Sequence, residues 1–289
     1  MRRRSPEIDV KYARIFTAAW VLGLLCGQIE AMAQTVPESS AATEKLRSVI
    51  ADVASSELAH FHANRAQRLE ELRLDDVLKR KNPYLFRAKN ITTSAAFVDT
   101  ILDAHVSSQE EGVFGGVLER IALAVNAVAF GGRKSGIEGI DLEFEKAATK
   151  YLVSIKSGPN WGNSSQIRKM QDDFQKARRT LNTNTNAGSG KVVAVNGCCY
   201  GTTATEGKGN YMKVCGARFW QLISGRPDCY QWVMEALDDQ QTKAESGFRD
   251  ALDAKRTEFA KEFTRRFCDE HGSIRWRLLL EFNSGPDHE

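Results

Sequence analysis

The strongest constraint on the fold lies in the run Gly139-Ile140-Asp141-Leu142-Glu143-Phe144-Glu145, followed by Tyr151-Leu152-Val153-Ser154-Ile155-Lys156-Ser157-Gly158. Ile140, Leu142 and Phe144 alternate with Asp141, Glu143 and Glu145. Tyr151, Val153 and Ile155 alternate in the same way with Leu152, Ser154 and Lys156. A period of two sends successive side chains to opposite faces, so each run predicts a β-strand with two chemically distinct faces. The intervening Lys146-Ala147-Ala148-Thr149 is short enough for a turn, which makes the pair an antiparallel hairpin. In that register Asp141 falls opposite Ser154, with Cβ atoms roughly 5 Å apart, and Lys156 lies one step along the same polar face. A carboxylate and an ammonium group then converge at one edge.

A surface Asp–Lys pair on a half-buried hairpin is the plain interpretation. The chemical one is phosphodiester hydrolysis, in which a carboxylate holds Mg²⁺ and an ammonium group orients the attacking water and offsets developing negative charge. The sequence around the hairpin favours the second. After Lys156 come Ser157-Gly158-Pro159-Asn160-Trp161-Gly162-Asn163, then a helix, then Val192-Val193-Ala194-Val195-Asn196-Gly197-Cys198-Cys199.

Over about residues 80 to 235 this combination resembles the PD-(D/E)xK superfamily of nucleases, and within it the type II restriction endonucleases of the PmeII-like group. The most specific parts are Gly139-Ile140-Asp141-Leu142, the run from Ser154 to Gly162, the Cys198-Cys199 strand and Phe219-Trp220. The resemblance implies an α+β or α/β nuclease core, with a mixed central sheet flanked by helices and a large helical surround. It also implies a Mg²⁺ cofactor, double-stranded DNA as substrate, a short palindromic target, a homodimer, and a cognate DNA methyltransferase as genetic partner. Asp141 and Lys156 take the family's metal-binding and catalytic positions. One departure matters, because the position two residues before the lysine is ordinarily acidic and here is Ser154. A second carboxylate must then come from elsewhere. Glu119, on the flank of a helix just ahead of the hairpin, is the preferred source over Glu143 and Asp173, and the Ile155 carbonyl is an additional ligand. Phosphate contacts are expected from Asn160, Asn163, Ser164, Lys169, Arg178 and Arg179. Trp161 either packs its loop or touches DNA.

Along the chain, Ser39 to Arg73 predicts a long helix with an apolar stripe through Leu46, Val49, Ile50, Val53 and Leu58. Two helices are expected next, from about Ser94 to His105 and from about Gly115 to Ala129, stopped by Gly131-Gly132. Asn163 and Gln166 form a variant capping box for the helix after the hairpin, whose stripe is Ile167, Met170, Phe174, Ala177 and Leu181. Asn182 to Gly190 reads as a polar loop, and Val192–Val195 as a central strand buried on both faces. A short helix around Phe219–Ile223 should stop at Ser224-Gly225. Further on, Phe248, Leu252, Phe259, Phe263 and Phe267 stripe a long charged helix that can serve an intramolecular core or a dimer seam.

A net charge of +3 over 289 residues is only mildly basic, so charge alone does not point to nucleic acid. The six cysteines show no paired metal-ligand spacing and read as reduced, buried thiols. His60 and His62 do not share a helix face. Residues 1 to 33 look like a secretory leader, with Arg2-Arg3-Arg4 ahead of an apolar run, yet they carry Glu7, Asp9, Gln28 and Glu30. Met32 is the preferred true start, leaving a domain over residues 34–289 and a cytoplasmic protein. Two other functions compete: a catalytically inactive DNA-binding protein with the same fold, and an exported helical interaction protein whose hairpin is structural.

Overall fold

The computed structural model describes residues 40–184, 191–205, 210–238 and 243–285. The leader-like segment, Cys26 and the later part of the polar loop at 182–190 lie outside these residues. Leu46–Glu289 form one compact unit, distinct from Met1–Lys45. The chain opens with α1 (Ser40–Glu70), followed by α2 (Leu74–Leu78), α3 (Pro83–Ala88) and α4 (Ser94–Phe130). The central segment comprises β1 (Arg133–Lys134), β2 (Leu142–Lys146), β3 (Thr149–Lys156), α5 (Ser164–Asn184), β4 (Lys191–Cys198), β5 (Ala204–Thr205) and β6 (Met212–Cys215). It closes with α6 (Ala217–Ser224), α7 (Cys229–Asp238), α8 (Lys243–Phe267) and α9 (Trp276–Ser284).

The strands form one mixed sheet in the order β1-β2-β3-β4-β6-β5. The predicted hairpin is present in the predicted register, with Leu142 opposite Val153 and Phe144 opposite Tyr151. Only Ala147 and Ala148 separate its strands, both with left-handed φ, of 48° and 56°. Two left-handed central residues make the kind of turn whose twist suits a two-residue hairpin. β4 is central as expected, running parallel to β3 on one side and to β6 on the other.

Period two also decides what covers each face of the sheet. Leu142, Phe144, Val153, Ile155 and Val195 enter a core with Val117, Ile121 and Val125 of α4 and Phe219 and Ile223 of α6. Leu152 and Ala194 pack on the other face against Met170, Phe174 and Ala177 of α5. Ile140 belongs to this second layer rather than to that of Leu142 and Phe144, because it precedes the regular strand. A third core gathers Leu74, Phe86, Phe97 and Ile101 with Phe259, Phe263 and Phe267 of α8.

One expectation needs correction. The two helices predicted between Ser94 and Ala129 are one helix of 37 residues, α4, capped at Gly131 with φ 66°. Gly112, Gly115 and Gly116 lie inside it rather than in a break or at the start of a second helix. Each glycine costs about 1 kcal/mol against alanine, which burial at both ends of the helix offsets: Phe97, Ile101 and Leu102 at one end, Val117, Ile121 and Val125 at the other. By length and composition α4 could cross a membrane, but these buried residues make it the spine of two cores. The phenylalanine stripe of α8, which the sequence allows as core or as seam, is spent inside the molecule. Phe97 stacks on Phe263 with ring centroids 4.6 Å apart, and Phe259, Phe263 and Phe267 are buried. The stripe is therefore not an open dimer seam.

Candidate active site

The site forms where β2 begins and β3 ends. Asp141 stands one residue before β2, and its N–H donates to the Val153 carbonyl at 2.9 Å, which extends the ladder and sets Asp141 opposite Ser154. Its Oδ2 accepts a hydrogen bond from the Ile155 N–H at 2.6 Å and from Ser154 Oγ at 3.4 Å. The carboxylate is thus held rigidly by the neighbouring strand. Lys156, the last residue of β3, brings its Nζ to 3.8 Å from the same Oδ2. That is an ion-pair distance, longer than a hydrogen bond, and leaves the ammonium group free to donate elsewhere.

Glu119 reaches this edge from α4. Its carboxyl pKa is raised, first by burial and then by the charge of Asp141, while Lys134, Lys156 and Arg120 pull it down. Two carboxylates sharing a partly desolvated site repel one another, and a cation between them would relieve both. Lys134 Nζ lies 4.0 Å from Glu119 Oε1. Asp141, Ser154, Ile155, Lys156 and Glu119 are therefore brought together.

The rival carboxylates are engaged elsewhere. Glu143 is buried, with Oε1 2.6 Å from Arg133 Nε and Oε2 3.7 Å from Lys150 Nζ. Asp173 is buried beside Gly139, where an added Cβ would collide with its carboxylate, and Lys169 Nζ lies 2.9 Å from its Oδ2. The described residues contain no cluster of three or more His, Cys, Asp or Glu fit to hold a metal, so a cation here would draw on two carboxylates and backbone oxygen.

The residues expected to touch phosphate do not converge. Asn160 and Ser164 are exposed in and just after the loop that follows Lys156. Asn163 Oδ1 is committed to capping α5, accepting from the N–H groups of Ser165 and Gln166 at 3.1 Å each, while Gln166 reaches back to the Asn163 N–H at 2.9 Å. The capping box is as expected. Lys169 is paired with Asp173 and with Glu138. Arg178 and Arg179 lie about 20 Å along α5 from its cap at 1.5 Å per residue, away from the end of β3 that bears Lys156.

Some contributors carry no legible signal in sequence. Lys134 sits on a two-residue strand too short for any periodicity. Trp161 lays its ring 5.3 Å from Lys156 Nζ and donates from Nε1 to Asn196 Oδ1 at 3.3 Å. Lys213 Nζ donates to the Pro159 carbonyl at 2.6 Å and pins the loop between them. These two hydrogen bonds span 35 and 54 residues, which spacing cannot reveal.

The family model for type II restriction endonuclease EcoO109I matches residues 48–245, well over half of the 289-residue chain. The chain belongs to this family. No curated protein matches it in a comparison of sequences. The EcoO109I match contains the whole sheet, Glu119, Asp141 and Lys156, and ends at the start of α8. The chain is accordingly a restriction endonuclease with a mixed sheet flanked by helices. Family membership favours the enzyme over the two competing readings.

Proposed function

We propose that this endonuclease is Mg²⁺-dependent, cuts a short palindromic duplex DNA sequence, and uses a PD-(D/E)xK site in which Ser154 stands at the usual acidic position. The observation that carries the proposal is the convergence of Asp141, Lys156 and Glu119 on one sheet edge, with Lys156 Nζ 3.8 Å from Asp141 Oδ2 and the Glu119 carboxyl burdened by Asp141. The likeness to the PmeII-like group rests on the motif runs alone.

The donor set suits a hard cation. Asp141 and Glu119 supply carboxylate oxygens. Within an extended strand the N–H and C=O of one residue point to the same side. Since the Ile155 N–H faces Asp141, the Ile155 carbonyl faces the same edge and completes the set. Bound there, Mg²⁺ would supply positive charge to the scissile phosphate and acidify water. Lys156 orients the attacking water and stabilises charge on the phosphoryl oxygens as a water oxygen bonds to phosphorus and the P–O bond to the leaving group breaks. Ser154 fixes Asp141 by donating to Oδ2 instead of adding charge.

Lys156→Ala should abolish cleavage of phage DNA while leaving specific binding within about tenfold, because the ammonium acts on charge that develops in the transition state. Near-normal turnover would remove Lys156 from the mechanism. Asp141→Ala should also be inactive in Mg²⁺, and full activity there would reject this hairpin as the site. A cytoplasmic location and a neighbouring methyltransferase gene fit this function, since host DNA must be protected from the cut.

A further inference from the structure

We infer that Trp161 is a positioning residue that holds the Lys156 ammonium group, and that Asn196 sets the orientation of the indole. The inference rests on the role proposed above for Lys156. Three observations carry it. The distance from Lys156 Nζ to Asp141 Oδ2, 3.8 Å, is too long for the carboxylate to fix the ammonium by a hydrogen bond. Asp141 Oδ2 is in any case already occupied by the Ile155 N–H and Ser154 Oγ. The ammonium lies over the face of Trp161, 5.3 Å from Nζ to the ring centroid, within the range at which an indole quadrupole attracts a cation.

The indole is itself held. Its Nε1–H donates to Asn196 Oδ1 at 3.3 Å, and Asn196 is 1% exposed, with its Nδ2 directed at Met170 Sδ at 3.3 Å. Asn196 occupies the β4 position paired with Ser154, so its side chain rises from the sheet beside the catalytic strand. A buried amide with both ends engaged tolerates few rotamers, and this restriction passes through the N–H bond to the ring. The backbone around Trp161 is equally constrained. Lys213 ties down Pro159, and Tyr200 packs so closely on Gly158 that an added Cβ would overlap its ring. The result is a fixed aromatic face against the Lys156 ammonium, which also lies 3.8 Å from Asp141 Oδ2.

The test compares Trp161→Leu, Trp161→Phe and Asn196→Leu with wild type in the metal-free protein and in cleavage of phage DNA. Lysine labelled at ¹³Cε, assigned through loss of one signal in Lys156→Arg, reads ring placement directly by its ring-current shift. Trp161→Leu should move the Lys156 signal to the position of an exposed lysine, Trp161→Phe should retain part of the shift, and Asn196→Leu should reduce it. In cleavage, Trp161→Leu should lower kcat about tenfold with KM within twofold, and Trp161→Phe should recover most of the loss. An unmoved Lys156 signal in Trp161→Leu overturns the inference whatever the activity. So does a rise in KM at constant kcat, which would make Trp161 a DNA contact, or equal losses in the Phe and Leu variants, which would make it loop packing. If wild type cuts no DNA, the nuclease proposal fails separately, and the NMR shift still decides where Lys156 is held.

Discussion

At the scale of single residues, Glu119 carries opposing demands of stability and function. Burial and the charge of Asp141 raise its pKa, so the folded protein holds this proton to higher pH than the unfolded chain does. Its favourable contribution to stability is complete below the ordinary carboxylate range and is lost as pH rises through the folded value. Glu119→Gln should therefore raise the Tm of the metal-free protein by about 2 °C near pH 8, with the gain vanishing toward pH 4, while Mg²⁺-dependent cleavage falls severely. A thermal melt series across that range and a cleavage assay check both halves, and wild-type cleavage with unchanged metal dependence would discard Glu119 as a ligand. The thiols behave more simply. Burial raises Cys199 to about 12 and Cys229 to about 11, and raises Cys198 further with help from Cys215, so these groups stay protonated and should resist a thiol reagent until the protein is unfolded. Asp141, Ser154 and Lys156 were legible because strand period and hairpin register are local properties. Glu119 was legible only as a helix residue near the hairpin and Trp161 only as a loop residue, while the Trp161–Asn196 bond was not legible, since α5 and most of β4 separate its partners.

At the scale of elements, the β2–β3 hairpin places the site with a turn that its sequence disfavours. Ala147 and Ala148 both adopt left-handed φ, at about 1–2 kcal/mol each for a residue with a Cβ. The replacement Ala147→Asn with Ala148→Gly suits the same turn, and should stabilise the protein by about 1–2 kcal/mol with cleavage unchanged. Urea unfolding measures this, and a loss of stability would contradict the turn geometry. The hairpin itself was readable because alternation persisted across both strands. The single helix α4 was not, because glycine is also a stop signal, and only tertiary packing shows that Gly115 faces Ser157, where an added Cβ would sit at an ordinary contact distance of 3.5 Å from the Ser157 Cβ. Buried Glu143 was likewise hidden, since its apparent place on a polar face says nothing of Arg133 and Lys150 closing over it.

At the scale of the whole molecule, the proposed dimer on a palindromic site would need a surface other than the α8 stripe, because Phe259, Phe263 and Phe267 are already buried. Phe263→Ala should cost about 3–5 kcal/mol of stability while leaving the oligomeric state of the folded fraction unchanged in sedimentation. A variant that becomes monomeric yet retains full stability would return the stripe to the interface. The helix α4 links the outcome of such a change to the active site. Phe97 and Ile101 near its start belong to the core with α8, whereas Val117, Ile121 and Val125 near its end lie under the catalytic sheet. Its middle amides cannot open without loosening either core, so their hydrogen exchange should proceed only with global unfolding. The distance between Phe97 and Glu119 is then no insulation: a defect at one end of this helix should speed exchange along the segment that delivers the carboxylate at the other.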